Sequence, residues 1–446
     1  MEPINSSEAI AQPTPVSSKS GLRRIFANTM WLLAGKGFGA VLSFFYLGLL
    51  TRTLGTEAFG QFSLILGTAQ MISALVAFQT WQVVVRYGAA YVKEGGHERR
   101  YGHLIALATL FDIAGAVVGC VVAGLGVHWV APFFGWDAEL SRNALLFCIV
   151  MLLAVRSTPI GILRVEDRFD LSTYADAIIP LMRMGGAAAV MWLGPSIEGF
   201  LWAWAAAEIA CALVHWALAG WQLRGRLSLR HVRKPGAALQ ENEAIGRFLM
   251  ITNASSAVAG LSQNLAMMMI GFFVNPATAG LYRLASQLAA AMTKISGLLS
   301  RTIFAEVNLV RAQEGVAALQ NLFRKANRIL LFTGGIVVLL VALLGKPVLL
   351  LMSGPEFLSA YPLLLLLAAA ASVELAGAMY EPTLMSSYRA NTALYIQIVR
   401  LLILIVLLLV MLKLWGATGA AIATGIASIA RMLLLHRAAR KHLLDG

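Results

Sequence analysis

Apolar residues in this chain come in long, mostly uninterrupted stretches that stop at short breaks bearing Gly, Pro or charge and then begin again. A helix of about 20 such residues spans the ~30 Å hydrocarbon core of a bilayer. Twelve stretches of this kind are read, at roughly 28–51, 59–82, 104–126, 143–163, 171–193, 198–220, 247–272, 278–300, 329–345, 358–384, 391–413 and 416–436. An even count puts both chain ends on one side of the membrane. The predicted fold class is an all-α integral membrane protein with about 12 transmembrane helices in two six-helix lobes around a central cavity.

Two stretches match at a constant offset of 223 residues, with Arg24, Gly37 and Gly48 corresponding to Arg247, Gly260 and Gly271. Each runs from a basic residue through an apolar span into a Gly-punctuated turn and then into another apolar helix, as internally duplicated transporters do. The chain therefore divides into a polar tail at 1–22, a first six-helix lobe at 23–221, a basic linker at 222–245 and a second lobe at 246–446.

Lys and Arg fix the orientation, because basic residues in short loops stay cytoplasmic. One side collects Arg23, Arg24, Arg86, Lys93, Arg99, Arg100, Arg164, Arg168, Arg230, Arg233, Lys234, Arg324, Lys325, Arg389, Arg437 and Arg440; the other has Arg52, Arg142, Lys346 and Lys413. Both termini are thus expected to be cytoplasmic. The same loops account for the net charge of +13 through attraction to anionic headgroups, so no nucleic-acid partner is required.

Composition agrees with this class: 59% of residues are hydrophobic, 13% are charged, and mean hydropathy is +0.75. A soluble domain carries about 25% charged residues. The first 20 or so residues are rich in Pro and Ser and lack the apolar core of a cleavable signal. The segment at roughly 301–328 interleaves Val307, Leu309, Val310, Leu319, Leu322 and Phe323 with charges, a pattern suited to lying along the membrane surface. Cys120, Cys148 and Cys211 fall in separate spans without CxxC spacing and read as apolar packing residues.

Enzymatic signatures are missing from the sequence. It contains no Walker motif, no HExxH and no GxSxG with triad partners, and its seven His are scattered singly. No loop on the sparsely charged side exceeds about 16 residues, which leaves little room for a membrane-embedded polymerase or glycosyltransferase site.

Ionisable residues inside spans are costly in lipid and therefore point to function. In the eighth span Arg283, Gln287, Lys294 and Arg301 recur at spacings of 4, 7 and 7, within about 40° of one helical face. In the second span Gln61, Thr68, Gln79 and Arg86 fall within about 20° of one another. Two such stripes, each on the second helix of its half, suggest cavity walls. Arg86 and Arg301 stand near span ends, where snorkelling to headgroups explains them equally well. Lys36, Arg156, Arg183, Arg283 and Lys294 lie deeper, and Asp176 with Arg183, or Glu208 with His215, could equally form structural pairs. Asp112, Glu374 and Glu381 are the candidate acids for H+ or Na+ coupling; no other cofactor and no metal is predicted.

The stretch NTMWLLAGKGFGAVLSFFYLGLLTRTLGTEAFGQFSLILGTAQ carries Lys36 after a Gly, the Leu-Thr-Arg-x-Leu-Gly run from Leu50 to Gly55, and Phe59-Gly60 opening the next span; the second half carries Gly280-Leu281-Tyr282. These residues resemble the polysaccharide biosynthesis proteins, the Wzx-type lipid-linked oligosaccharide flippases of the multidrug/oligosaccharidyl-lipid/polysaccharide exporter superfamily. The resemblance implies two six-helix lobes about an axis along the membrane normal, a cavity opening alternately to each side, and a cargo of oligosaccharide (an O-antigen or exopolysaccharide repeat unit) on undecaprenyl diphosphate. It places the chain in the bacterial inner membrane among lipids, with a polysaccharide polymerase or glycosyltransferases as candidate partners.

Phosphate chemistry fits the deep cations independently, since Arg presents a bidentate fork to phosphate oxygens. Lys36, Arg52, Arg283 and Lys294 are therefore assigned to the diphosphate, and Gln61, Gln79 and Gln287 to sugar. A cation-coupled multidrug antiporter of the same superfamily is the alternative, disfavoured because acidic residues would be expected at its centre. A peptidoglycan-precursor flippase would usually carry two further spans.

Overall fold

The computed structural model describes residues 18–94, 96–225, 234–242, 244–291, 315–377, 380 and 390–440, with 18–36, 38, 315–327 and 390 described as backbone only. The described residues form an all-α protein. Its helices are α1 (Ser18–Val76), α2 (Thr80–Glu94), α3 (Glu98–Val130), α4 (Ala138–Leu153), α5 (Ser157–Val165), α6 (Phe169–Leu193), α7 (Ile197–Leu223), α8 (Pro235–Glu241), α9 (Ile245–Phe273), α10 (276–291), α11 (Gly315–Ser353), α12 (Tyr361–Gly377) and α13 (Ala390–Ala439).

Nine helical runs among the described residues are long and apolar enough to cross a membrane. Two of them contain a sharp break. In α1 the backbone turns at Gly55 (φ 71°), and in α13 at Trp415 and Gly416 (φ 55°), so each run holds two spans joined by almost no loop. A positive φ is strained for residues with a Cβ, which is why glycine stands at both corners. With α10 these make up the twelve spans read from the sequence.

Span ends show membrane adaptation. Trp129, Trp192 and Trp415 are exposed at the ends away from the basic loops, as the interfacial aromatic belt requires. On that same side Asp137 caps α4 by accepting from the Leu140 N–H at 2.7 Å, and Ser196 caps α7 by accepting from Gly199.

The two halves of the chain share one core. The second limb of α1 runs antiparallel to α9, with Leu64 against Gly271, Gly67 against Met267 and Ala74 against Gly260. Of the four glycines matched by the 223-residue offset, Gly260 and Gly271 thus hold a helix of the other half, and Gly48 meets Met352 of α11; Gly37 has open space around it. Near the opposite-side surface Gly60 packs backbone to backbone with Gly280, whose missing Cβ would lie 2.9 Å from the Gly60 Cα. Phe59 stacks edge-on against Phe357 and Phe133 tilts onto Phe272 at the same level.

Part of the stretch read as a linker is helical. Helix α8 docks beneath α2 and α3 through His103–Glu241 (2.9 Å) and Tyr91–Asn242 (2.8 Å), and residues 226–233 lie outside the described residues. Helix α1 begins at Ser18, inside the stretch read as a tail. Most of the 301–328 surface segment lies outside the described residues, and only the backbone of 315–327 is seen, within α11.

The second-span stripe does not exist as one face. Helix α1 ends at Val76 and α2 starts at Thr80, so Gln61 and Thr68 share a helix that Gln79 and Arg86 do not. Thr68 is buried and donates to the Leu64 carbonyl of its own helix, and the Arg86 guanidinium sits 4.4 Å above the Phe248 ring.

Candidate functional site at the junction of the halves

Helix α10 starts at Pro276 after Asn275, whose side-chain oxygen accepts from the Thr278 N–H. One turn on, Gly280 brings α10 against Gly60; the next turn places Arg283 between α1 and α9. The Arg283 guanidinium donates to Asn264 Oδ1 at 3.1 Å and to Gln70 Oε1 at 3.2 Å, and its Nε has no hydrogen-bond partner. Asn264 is oriented for this, because its amide nitrogen donates back to the Gly260 carbonyl and leaves its oxygen facing Arg283. Among the described residues no carboxylate pairs with Arg283. Two neutral amides solvate the cation but do not cancel its charge.

A second cationic group stands within electrostatic range. Arg183 and the Tyr46 hydroxyl both act on Arg283. Arg183 donates to Glu208 at 2.8 Å and to Tyr46 at 3.3 Å, with its guanidinium 5.0 Å above the Trp204 ring. Arg156 binds the other oxygen of Glu208. Glu208 is therefore clasped by two guanidiniums. Three guanidiniums face Glu208 and, through its action on Arg156, Asp176, which leaves a surplus of one positive charge in the group.

The residues picked out from the sequence fall in different places. Arg52 donates from Nε to the Met352 carbonyl (3.1 Å) and from Nη2 to the Leu351 carbonyl (2.6 Å), capping the last turn of α11 and tying the halves together away from Arg283. Gln61 donates to the Phe134 carbonyl at 3.2 Å near the opposite-side surface, and Gln79 accepts from the Trp81 indole N–H at 2.9 Å at the α1–α2 break. Gln287 is half-buried one turn beyond Arg283. The side chain of Lys36 and all of Lys294 and Glu381 lie outside the described residues.

Two of the three candidate coupling acids, Asp112 and Glu374, are engaged. Asp112 accepts from the Thr80 and Thr158 hydroxyls, each at 2.7 Å, and from the Thr158 N–H at 3.0 Å, which joins α3 to the first turns of α2 and α5. Glu374 accepts from Arg400 and from Ser428. The pairs weighed from the sequence are re-sorted: Arg183 takes Glu208 and not Asp176, and His215 faces Asp176 and not Glu208.

Gln70 and Asn264 were not singled out by sequence. Gln70 lies nine residues from Gln61, which at 100° per residue is the opposite face of the helix, so the stripe that drew attention to Gln61 directed it away from Gln70.

Residues 25–304 match the model of the family described as polysaccharide biosynthesis protein. The chain belongs to that family. It is 26% identical over 345 residues to the inner membrane protein YghQ of Escherichia coli (strain K12), covering 77% of this chain and 96% of that one. The fold resembles the lipid II flippase MurJ in an inward closed conformation (TM-score 0.72, 14% identity, 92% of this chain and 87% of that one). It also resembles an inward-facing MATE family multidrug resistance transporter of the MOP superfamily (TM-score 0.70, 14% identity, 91% and 94%). The protein is thus a multi-pass membrane protein of a transporter fold.

Proposed function

We propose that this protein is a flippase that carries an oligosaccharide linked to undecaprenyl diphosphate from the cytoplasmic to the periplasmic leaflet of the inner membrane. The observation that carries the proposal is Arg283: a guanidinium embedded between the halves, held by Gln70 and Asn264, with no acid of its own among the described residues. A part-buried cation without a counter-charge is costly, and an incoming anion relieves that cost. A diphosphate supplies negative charge where the described guanidiniums exceed the carboxylates.

On this reading Arg283 and Arg183 face the diphosphate, joined by Lys36 and Lys294, and Gln287 contacts sugar beyond it. Arg52, held by two carbonyls, belongs to the contact that closes the opposite side. Alternating access then exchanges the α1–α11 and Gly60–Gly280 contacts for contacts on the basic side, with the segments 23–221 and 246–446 moving as lobes and both termini cytoplasmic. Outward movement of a diphosphate gains roughly 2.3 kcal/mol per charge per 100 mV of inside-negative potential. The antiporter alternative is weakened because Glu208 is already clasped by Arg156 and Arg183, and Asp112 by Thr80 and Thr158.

The test is translocation of a fluorescent undecaprenyl-diphosphate oligosaccharide in proteoliposomes, read by quencher accessibility. Transport by the parent and loss in Arg283→Ala at equal abundance is expected. Equal transport by both proteins overturns the basic site, and cation-driven drug exchange by the parent with no lipid movement overturns the flippase.

A further inference from the structure

Helices α6 and α7 bring together three side chains that the transport site does not use. Cys211 and His215 are one turn apart on α7, and Asp176 reaches them from α6; one ligand atom of each lies within 4.8 Å of the others. The His215 side chain is 0% exposed, while that of Asp176 is 59% exposed and leaves a path in.

The hydrogen bonds fix how His215 is protonated. Its Nδ1 lies 2.9 Å from the Cys211 carbonyl oxygen, which can only accept, so Nδ1 carries the hydrogen. In the neutral ring Nε2 then presents a lone pair. That atom is buried without a hydrogen-bond partner, and 3.8 Å away lies Asp176 Oδ1, a second acceptor. Two acceptors face each other. What such a pair lacks is a cation. The Cys211 sulfur lies 3.5 Å from Nδ1 and donates to the Ala175 carbonyl at 3.4 Å, so it joins the same ion by rotating about its Cα–Cβ bond.

We infer that Asp176, Cys211 and His215 form a binding site for a borderline-soft divalent metal ion of the zinc class. Imidazole, thiolate and carboxylate are the ligand types zinc takes, at about 2.0–2.3 Å, and a tetrahedral ion sets nitrogen and oxygen ligands about 3.3–3.5 Å apart. The 3.8 Å gap closes to this by a few tenths of an ångström. Three protein ligands leave a fourth position for water. The second ring nitrogen is anchored on a backbone carbonyl, the outer-shell arrangement that orients a ligating histidine.

Charge is compatible with this assignment. Arg156 and Arg164 act on the imidazole and oppose a cation; Arg156 is bound by Glu208, and Arg164 lies 4.1 Å above the Trp81 ring. A dication held by the Cys211 thiolate and the Asp176 carboxylate is itself neutralised, and binding of the ion displaces the thiol proton. Both helices belong to the first half, so the site braces α6 on α7 independently of the Arg283 site.

Cobalt titration of the full-length detergent-solubilised chain, free of any polyhistidine tag, tests the assignment. One equivalent of Co2+ is expected to give tetrahedral visible bands and a thiolate charge-transfer band, both displaced by Zn2+, which binds more tightly in the same ligand set. Cys211→Ser should lose the charge-transfer band, and Cys120→Ser with Cys148→Ser should keep it. Asp176→Asn, at an exposed position that leaves packing intact, should weaken Co2+ binding by ~10-fold or more. Saturating Co2+ without a charge-transfer band, or a band that survives in Cys211→Ser, overturns the site.

Discussion

Gln70 of the first half accepts a hydrogen bond at 3.2 Å from the Arg283 guanidinium of the second, across 213 positions of sequence. The bond makes the orientation of a cation depend on the packing of the two halves, which is the relationship a transporter changes in its cycle. Gln70→Leu keeps the volume and removes the acceptor. A lost hydrogen bond to a charged group is worth ~1.5–3 kcal/mol, so the lipid concentration for half-maximal transport should rise by about tenfold or more, with unchanged abundance. An unchanged concentration dependence would remove Gln70 from the site. Arg283→Lys should retain part of the activity, because the charge stays and the bidentate fork is lost.

Gly60 and Gly280 touch where helices of the two halves cross. A methyl group on Gly60 would overlap the Pro276 carbonyl, which is backbone and cannot swing aside. Gly60→Ala is expected to destabilise by ~1–3 kcal/mol, the usual range for overpacking, and to lower the melting temperature in detergent. Gly37→Ala, with nothing within 4 Å, should leave it unchanged or raise it slightly.

Asp112 connects three helices. Asp112→Ala strands the Thr158 N–H, at ~1–3 kcal/mol for a buried group, and leaves the Thr80 hydroxyl to Ser157 and the Thr158 hydroxyl to Thr80. A clear drop in melting temperature is expected, and Asp112→Asn, which retains one acceptor, should fall between. Full stability of Asp112→Ala together with loss of ion-dependent transport would instead make this residue a coupling acid.

Glu208 holds Arg156 and Arg183 together, so Glu208→Gln leaves two guanidiniums without a carboxylate. Breaking a buried pair costs ~3–5 kcal/mol, with the lower end expected here because Arg156 is 30% exposed. Membrane abundance should fall, and adding Arg156→Leu should restore part of it. A Glu208→Gln protein as abundant as the parent would contradict the structural role of the clasp.

Arg52 caps α11 from α1 on the side away from the basic loops. Arg52→Ala should loosen that contact, and spin labels at Glu57 and Ser359 should then show a longer, broader distance distribution. An unchanged distribution would mean that the neighbouring Phe59–Phe357 contact suffices to hold the surface closed.

Apolar run length and Lys/Arg placement determined the membrane class, the twelve spans and the existence of deep cations, because bilayer thickness and dehydration cost act on each helix separately. The offset glycines also marked real crossings at Gly48, Gly260 and Gly271, since close helix approach imposes a local demand for a small residue. Which charges remain free is a different kind of question. Arg52 and Arg283 are equally basic in sequence, yet one is satisfied by two carbonyls of α11 and the other, among the described residues, meets two amides. Likewise Arg183 sits seven residues from Asp176 on one helix but bonds Glu208 on the next, and His215 faces Asp176. Partner choice depends on which faces of packed helices meet, and a break of three residues after Val76 was enough to dissolve a stripe that periodicity had drawn.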